Sequence, residues 1–170
     1  MGASHAVVTG ASRGIGAALT DELRARGWQV TGTSRHGGGE CVALDVTDPA
    51  AFAPFVRAIG SRPVDLLVCN AGVYPDKGHS LDGGFPPQMW AETFATNVTG
   101  VFLTVQALLP NLRAAERPRI AVISSQMGSS TRAAGGSYVY RASKAAAINL
   151  GRNLAADLAG QGIAVGIYHP

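Results

Sequence analysis

Six short runs of apolar and β-branched residues punctuate the chain, and between them apolar positions recur at three- and four-residue intervals. The runs cover residues 5–9, 29–34, 41–46, 64–70, 120–125 and 163–169 and read as strands. The fourth, VDLLVCN, is almost wholly apolar, as a parallel strand covered on both faces must be. The periodic stretches predict helices over residues 15–26, 49–60 and 87–109 and through the alanine-rich YRASKAAAINL. Gly27 sits where a helix cap belongs, Asp48-Pro49 pairs an N-cap with a proline in the first turn, and Pro86-Pro87 opens the third helix. RHGGGE, between the second and third strands, is too short and too glycine-rich for a crossover helix.

Strands alternating with helices predict an α/β domain, residues 1–170, with a Rossmann-type doubly wound parallel sheet of six strands. Such sheets bind ligands beyond the carboxyl ends of their strands, where the strand order reverses. Composition narrows the picture by exclusion. The chain has 170 residues, enough for one sizeable core, with 46% apolar and 15% charged positions, which is a globular balance. The formal net charge of +3 comes from scattered arginines without a basic run, so no nucleic-acid partner is expected. No apolar run reaches membrane-spanning length, and the first strand begins too early to leave room for a signal peptide, so the expected location is cytoplasmic. Cys41 and Cys69 lack metal-ligand spacing and are expected to be buried free thiols, and no metal site is expected.

The candidate chemistry follows the strands. After the first comes TGASRGIG, with Gly10, Gly14 and Gly16 at a strand-to-helix turn. Glycines there let the backbone approach a pyrophosphate, whose charge the helix amino terminus favours. After the fourth comes Asn70-Ala71-Gly72, and after the fifth Ser124-Ser125. Tyr140 and Lys144, four apart on the alanine-rich helix, share a face, whereas Tyr138 points away from the lysine. A glycine-rich turn or a Tyr-x-x-x-Lys pair alone is common in purely structural settings.

With LDVTD, TNVTGVF and ISS in addition, six motifs stand in one order, and from Ala6 onward the chain resembles the short-chain dehydrogenase/reductase family. The wording SSQMGSS and GGSYVYRASKAA is most similar to the branch containing bacterial C-factor-like reductases. The resemblance implies an oxidoreductase that moves a hydride between a nicotinamide cofactor and a carbonyl or secondary alcohol. It implies Tyr140 as general acid/base, Lys144 as its partner, Ser125 orienting the substrate carbonyl, and Asn97 holding a water that links the lysine to solvent. It also implies cofactor contacts at Gly10, Ser12, Arg13, Gly14, Ile15, Gly16, Arg35, Asp45, Val46, Asn70, Ala71, Gly72, Tyr140, Lys144 and Pro170, with Asp45 meeting the adenine ring. Many family members place the serine 13 residues before the tyrosine, which here would select Tyr138; Lys144 selects Tyr140, 15 residues on, with the surplus in TRAAGG. Tyr138 is then expected to pack or to line the cleft. Lowering a tyrosine pKa from about 10 to about 7 takes about 4 kcal/mol, within reach of an ammonium about 4–5 Å away.

An NAD-preferring site usually has an acid at the end of the second strand. This strand ends VTGTSR, so Arg35 and Arg13 favour NADP(H) over NAD(H), the alternative being two solvated surface arginines. The family continues beyond a position equivalent to Pro170 into a substrate-covering segment and a seventh strand, so the domain is expected to be incomplete at that end. A homo-oligomer, dimer or tetramer, is expected through the helices bearing Asn97 and Tyr140, with Phe94, Val98, Phe102 and Val105 as an apolar stripe. The alternative function is a cofactor-binding signalling or regulatory protein with little turnover; Ser125, Tyr140 and Lys144 together argue for an enzyme acting on a small molecule.

Overall fold

Helices face both sides of one six-stranded sheet in the computed structural model, which describes residues 3–170. The strands are β1 (His5–Val8), β2 (Gln29–Ser34), β3 (Cys41–Ala43), β4 (Leu66–Cys69), β5 (Arg119–Ile123) and β6 (Ala164–Tyr168). All pair in parallel, in the order β3-β2-β1-β4-β5-β6. The order reverses between β1 and β4, which makes the carboxyl ends of those two strands the place for a ligand. Along each central strand alternate residues serve opposite faces, as the pleat requires. Val7, Leu67 and Ile120 join the larger core cluster, whereas Val8 and Val68 join the smaller one, packed by Leu19 and Leu23.

The helices are α1 (Gly14–Ala25), α2 (Pro49–Ile59), α3 (Pro87–Phe94), α4 (Gly100–Arg113) and α5 (Tyr138–Ala159). Phe52, Phe55 and Ile59 of α2, Leu108 and Leu112 of α4, and Leu154 and Leu158 of α5 fill the larger cluster. Asp48 caps α2 as expected, its side chain accepting the Ala50 N–H at 2.9 Å.

Three features differ from the sequence reading. β3 ends at Ala43 rather than at residue 46, because the Leu44 N–H makes a last bond to the Ser34 carbonyl at 2.8 Å and Asp45–Asp48 then forms a turn, with Leu44 and Val46 buried. The helix expected over residues 87–109 is interrupted by a π turn, Ala95–Thr99, and then runs through Pro110 to Arg113. Its extension is held by Asn111, whose amide donates to the Gly60 and Arg62 carbonyls at 2.8 Å each. Cys69 is buried, but Cys41 is only half-buried, because β3 is an edge strand with a neighbour on one side.

Candidate active site

The two strands at the reversal are stitched together where they end. Thr9 Oγ1 accepts the N–H groups of Asn70 and Ala71 at 3.0 Å each, and Asn70 Nδ2 donates to the Thr9 and Gly10 carbonyls at 2.9 and 3.1 Å. The glycine-rich turn is packed against this junction. Gly10 has a φ of 67°, and a Cβ there would lie 2.9 Å from Ala71 Cα; a Cβ on Gly16 would collide with the Gly10 carbonyl oxygen. Only glycine satisfies both positions. The turn delivers the chain to the amino terminus of α1, which no side chain caps. Its partial positive charge therefore stays available to an anion.

The second half of the site stands on α5 and the end of β5. Ser124 Oγ donates to the Lys144 carbonyl at 2.9 Å, tying strand to helix. Gly128, in the 3-10 turn Gln126–Gly128, meets the α5 backbone so closely that a Cβ would lie 2.7 Å from the Lys144 carbonyl carbon. Ser125 caps that turn, its Oγ accepting the Met127 N–H at 3.2 Å. Lys144 is only 5% exposed, donates to the Ile123 carbonyl at 2.9 Å and lies 5.6 Å from the Tyr140 ring centre. Burial pushes its pKa down to about 8.

Tyr140 does not show the lowered pKa that the lysine was expected to produce. Burial raises it, the Ser125 hydroxyl pulls it back, and the Tyr74 phenol raises it further. The physical reason is that the Lys144 ammonium is turned to the Ile123 carbonyl while the phenol is half-buried. Tyr138 packs edge-on against Phe85, with ring centres 5.4 Å apart.

Asn97 lies on the π turn and is buried. Its Oδ1 accepts the Val73 N–H at 2.8 Å, and its Nδ2 donates to the Val73 carbonyl and to Ser143 Oγ at 2.9 and 3.0 Å. It therefore joins the stretch after β4 to α5, beside Lys144: a Cβ on Gly72 would stand 3.2 Å from Asn97 Oδ1 and 3.5 Å from Lys144 Nζ. Interruptions of this kind in helices often mark functional positions.

One cleft of about 800 Å³ runs between the two halves. It is lined by Gly10, Ser12, Arg13, Gly14, Ile15, Arg35, Asp45, Val46, Asn70, Ala71, Gly72, Ser125, Tyr140, Lys144 and Pro170. Of the residues singled out from sequence, Gly16 and Asn97 do not line it: Gly16 supports the turn from beneath and Asn97 sits behind Gly72. The cleft also contains Ser34, His36 and Tyr74, to which no motif pointed, and Thr96, the first residue of TNVTGVF. Asp45 Oδ1 accepts the N–H and hydroxyl of Thr47 at 2.9 and 2.7 Å, and these bonds, with Arg35 nearby, hold its carboxyl below the usual range. Arg35 Nε is 3.7 Å from Asp45 and its side chain is mostly exposed; Arg13 is also exposed. The close-approach glycines, the uncapped α1 terminus and the two arginines suit a phosphorylated dinucleotide. Among the described residues, no three His, Cys, Asp or Glu side chains come together to hold a metal, and no helix is long and apolar enough to cross a membrane.

Comparison with known proteins agrees with this geometry. A family model described as short chain dehydrogenase matches residues 4–170. The 3-oxoacyl-(acyl-carrier-protein) reductase FabG of Escherichia coli is 35% identical over 179 aligned residues, which cover 97% of this chain and 71% of that protein. The rhamnolipids biosynthesis 3-oxoacyl-(acyl-carrier-protein) reductase of Pseudomonas aeruginosa is 36% identical, with 97% and 71% covered. Among solved structures, the NADPH-bound carbonyl reductase from chicken fatty liver matches 100% of this chain and 80% of its own, with a TM-score of 0.88 at 27% identity. The Pseudomonas aeruginosa RhlG/NADP active-site complex matches 98% and 72%, with a TM-score of 0.87 at 33% identity.

Proposed function

The chain belongs to the short-chain dehydrogenase/reductase family of oxidoreductases, and from that premise we propose that it moves a hydride between NADP(H) and a carbonyl or secondary alcohol, with Tyr140 as general acid/base. The observation that carries the proposal is that Ser125, Tyr140 and Lys144 open into the same cleft as the glycine-rich turn. A nucleotide held at the α1 terminus would extend along the cleft toward these three side chains. The bound nicotinamide supplies the hydride, and the protein supplies position and field.

In the reducing direction the substrate carbonyl oxygen accepts a hydrogen bond from the Ser125 hydroxyl and the proton of the Tyr140 phenol. Each is a neutral donor before the reaction, and the charge that develops on the oxygen is what they stabilise. The Lys144 ammonium favours the phenolate left behind, and Asn97, joined to Ser143 and to the Val73 backbone, keeps the lysine face of α5 against the stretch after β4. A raised Tyr140 pKa suits this direction, because the proton is in place at neutral pH.

The preference for NADP(H) rests on Arg13 and Arg35 together with the absence of an acid at the end of β2, where Ser34 stands. Two similar structures, the chicken fatty liver carbonyl reductase and RhlG, are described with NADPH and NADP. Titrating the protein with NADPH and NADH by nicotinamide fluorescence tests the preference. NADPH should bind tighter, and Arg13→Ala with Arg35→Ala should weaken it selectively by about 1–3 kcal/mol. Equal or tighter binding of NADH removes the assignment. A panel of aldehydes, ketones and quinones with NADPH tests catalysis itself; tight cofactor binding without turnover on any of them would overturn it.

A further inference from the structure

Asp76 belongs to the long loop between β4 and α3 and is fully buried, although it lies outside the cleft. Its Oδ2 accepts the Val139 N–H at 2.8 Å, and both carboxyl oxygens lie 3.3 Å from the Tyr140 nitrogen. These are amides of the first turn of α5, which need partners from outside the helix. The flanking residue ordinarily supplies one through its side chain. Ser137 is the right residue type but cannot do so here. It holds φ 48° and ψ 43°, the only positive φ of a non-glycine residue among those described, and its side chain makes no cap bond. Its hydroxyl is 2.6 Å from the Tyr74 hydroxyl instead, and the Tyr74 ring stacks on Tyr140 with centres 4.1 Å apart. A strained residue persists where its surroundings over-determine it. Here one loop supplies both constraints: Tyr74 holds Ser137 and the Tyr140 ring, and Asp76 takes the amides that Ser137 leaves.

We propose that Asp76 is a positioning residue for the reaction, capping α5 from a distant loop and so fixing the register in which Tyr140, rather than Tyr138, stands beside Ser125 and Lys144. Two tyrosines flank a fully buried valine at the helix start, so sliding the first turn would exchange the phenol presented to the cleft. The cap prevents the slide by binding the amides of Val139 and Tyr140 themselves. This inference rests on the reading of Tyr140 as the acid/base.

The test compares Asp76→Ala, which removes the acceptor, with Asp76→Asn, which keeps one oxygen for the Val139 amide. Asp76→Ala should lower kcat for carbonyl reduction by roughly 10- to 100-fold, the scale of a misplaced reacting group, with NADPH affinity and carbonyl KM close to parental. Asp76→Asn should restore most of that loss. A merely structural role would lower the melting temperature and leave kcat per folded molecule alone, and that result overturns the proposal, as does equal impairment of both variants. If Asp76→Ala does not fold, amide hydrogen exchange in Asp76→Asn decides. Protected Val139 and Tyr140 amides with near-parental kcat support the cap; lost protection with near-parental kcat overturns it, as does a large kcat loss with both amides protected. Tyr140→Phe is measured alongside. If it is active, the acid/base reading fails and the cap's role falls with it; if it is dead while Asp76→Ala keeps parental kcat, only the role of Asp76 fails.

Discussion

Lys144 should couple rate and stability to pH with opposite signs. Its pKa in the folded protein is about 8, below the ordinary lysine value of 10.5, so over that interval the unfolded chain binds more protons. Stability contributed through this residue therefore rises with pH across the window, as the burial penalty on the ammonium disappears. Carbonyl reduction should do the reverse. Tyr140, its pKa raised by burial, still carries its proton at pH 8, while Lys144 is losing the charge that favours the phenolate, so kcat should fall with an apparent pKa near 8. A kcat profile flat from pH 7 to about 10 would remove Lys144 as the titrating group. Melting curves of the parent and Lys144→Met test the other sign: the parent should gain on the variant as pH rises, and a constant gap contradicts the assignment. At the neighbouring position, Tyr140→Phe keeps the ring stacked on Tyr74 and loses only the hydroxyl, so turnover should vanish while NADPH affinity stays nearly parental. Tyr138→Phe should retain most activity, because that ring packs on Phe85 outside the cleft. An active Tyr140→Phe with a dead Tyr138→Phe would reverse the assignment.

Elements bring these side chains together through close backbone approach as much as through hydrogen bonds. Gly128→Ala places a methyl 2.7 Å from the α5 backbone at Lys144, where no flexible side chain can yield. Forcing the 3-10 turn and α5 apart should lower stability by about 1–3 kcal/mol and reduce kcat, read by denaturant unfolding and turnover. A stable, fully active variant would show that the approach is not required. The same elements show where a sequence can be read and where it cannot. Local signals found the strands, the Asp48 cap and the glycine-rich turn, because each is written within a few residues. The π turn went unread because its cause is not local: Asn97 reaches the Val73 backbone, 24 residues away. Asp76 went unread for the same reason, meeting Val139 across 63 residues of chain. Leu44 and Val46 look like strand residues because burial, not pairing, is what their apolar side chains serve.

At the scale of the molecule, alternating elements foretold a parallel sheet, and the six motifs placed the glycine-rich turn and the tyrosine–lysine pair at its carboxyl edge, but the meeting of β1 with β4 is a property of the fold alone. The homo-oligomer expected from the resemblance has a divided basis. Val105 is core, Phe94 and Val98 are half-buried, and Phe102 is 42% exposed, so Phe102 is the residue of that stripe most open to a second copy. Light scattering at micromolar concentration should give at least a dimer mass, reduced by Phe102→Asp; a monomer mass for the parent removes the interface. The central place of β1 has a further consequence, for the order of events in folding. β1 precedes β4 in the chain by a long interval, and its ladder with β4 joins residues sixty positions apart, as Ala6 to Leu66 does. Closing so long a loop is entropically unfavourable before any ladder bond offsets it, which makes such sheets slow to complete. The Thr9–Asn70 junction that rims the cleft cannot exist until that closure is made. A nucleotide bound across it stabilises the finished sheet and not the searching chain, so its presence should lengthen the lifetime of the folded protein without hastening its formation.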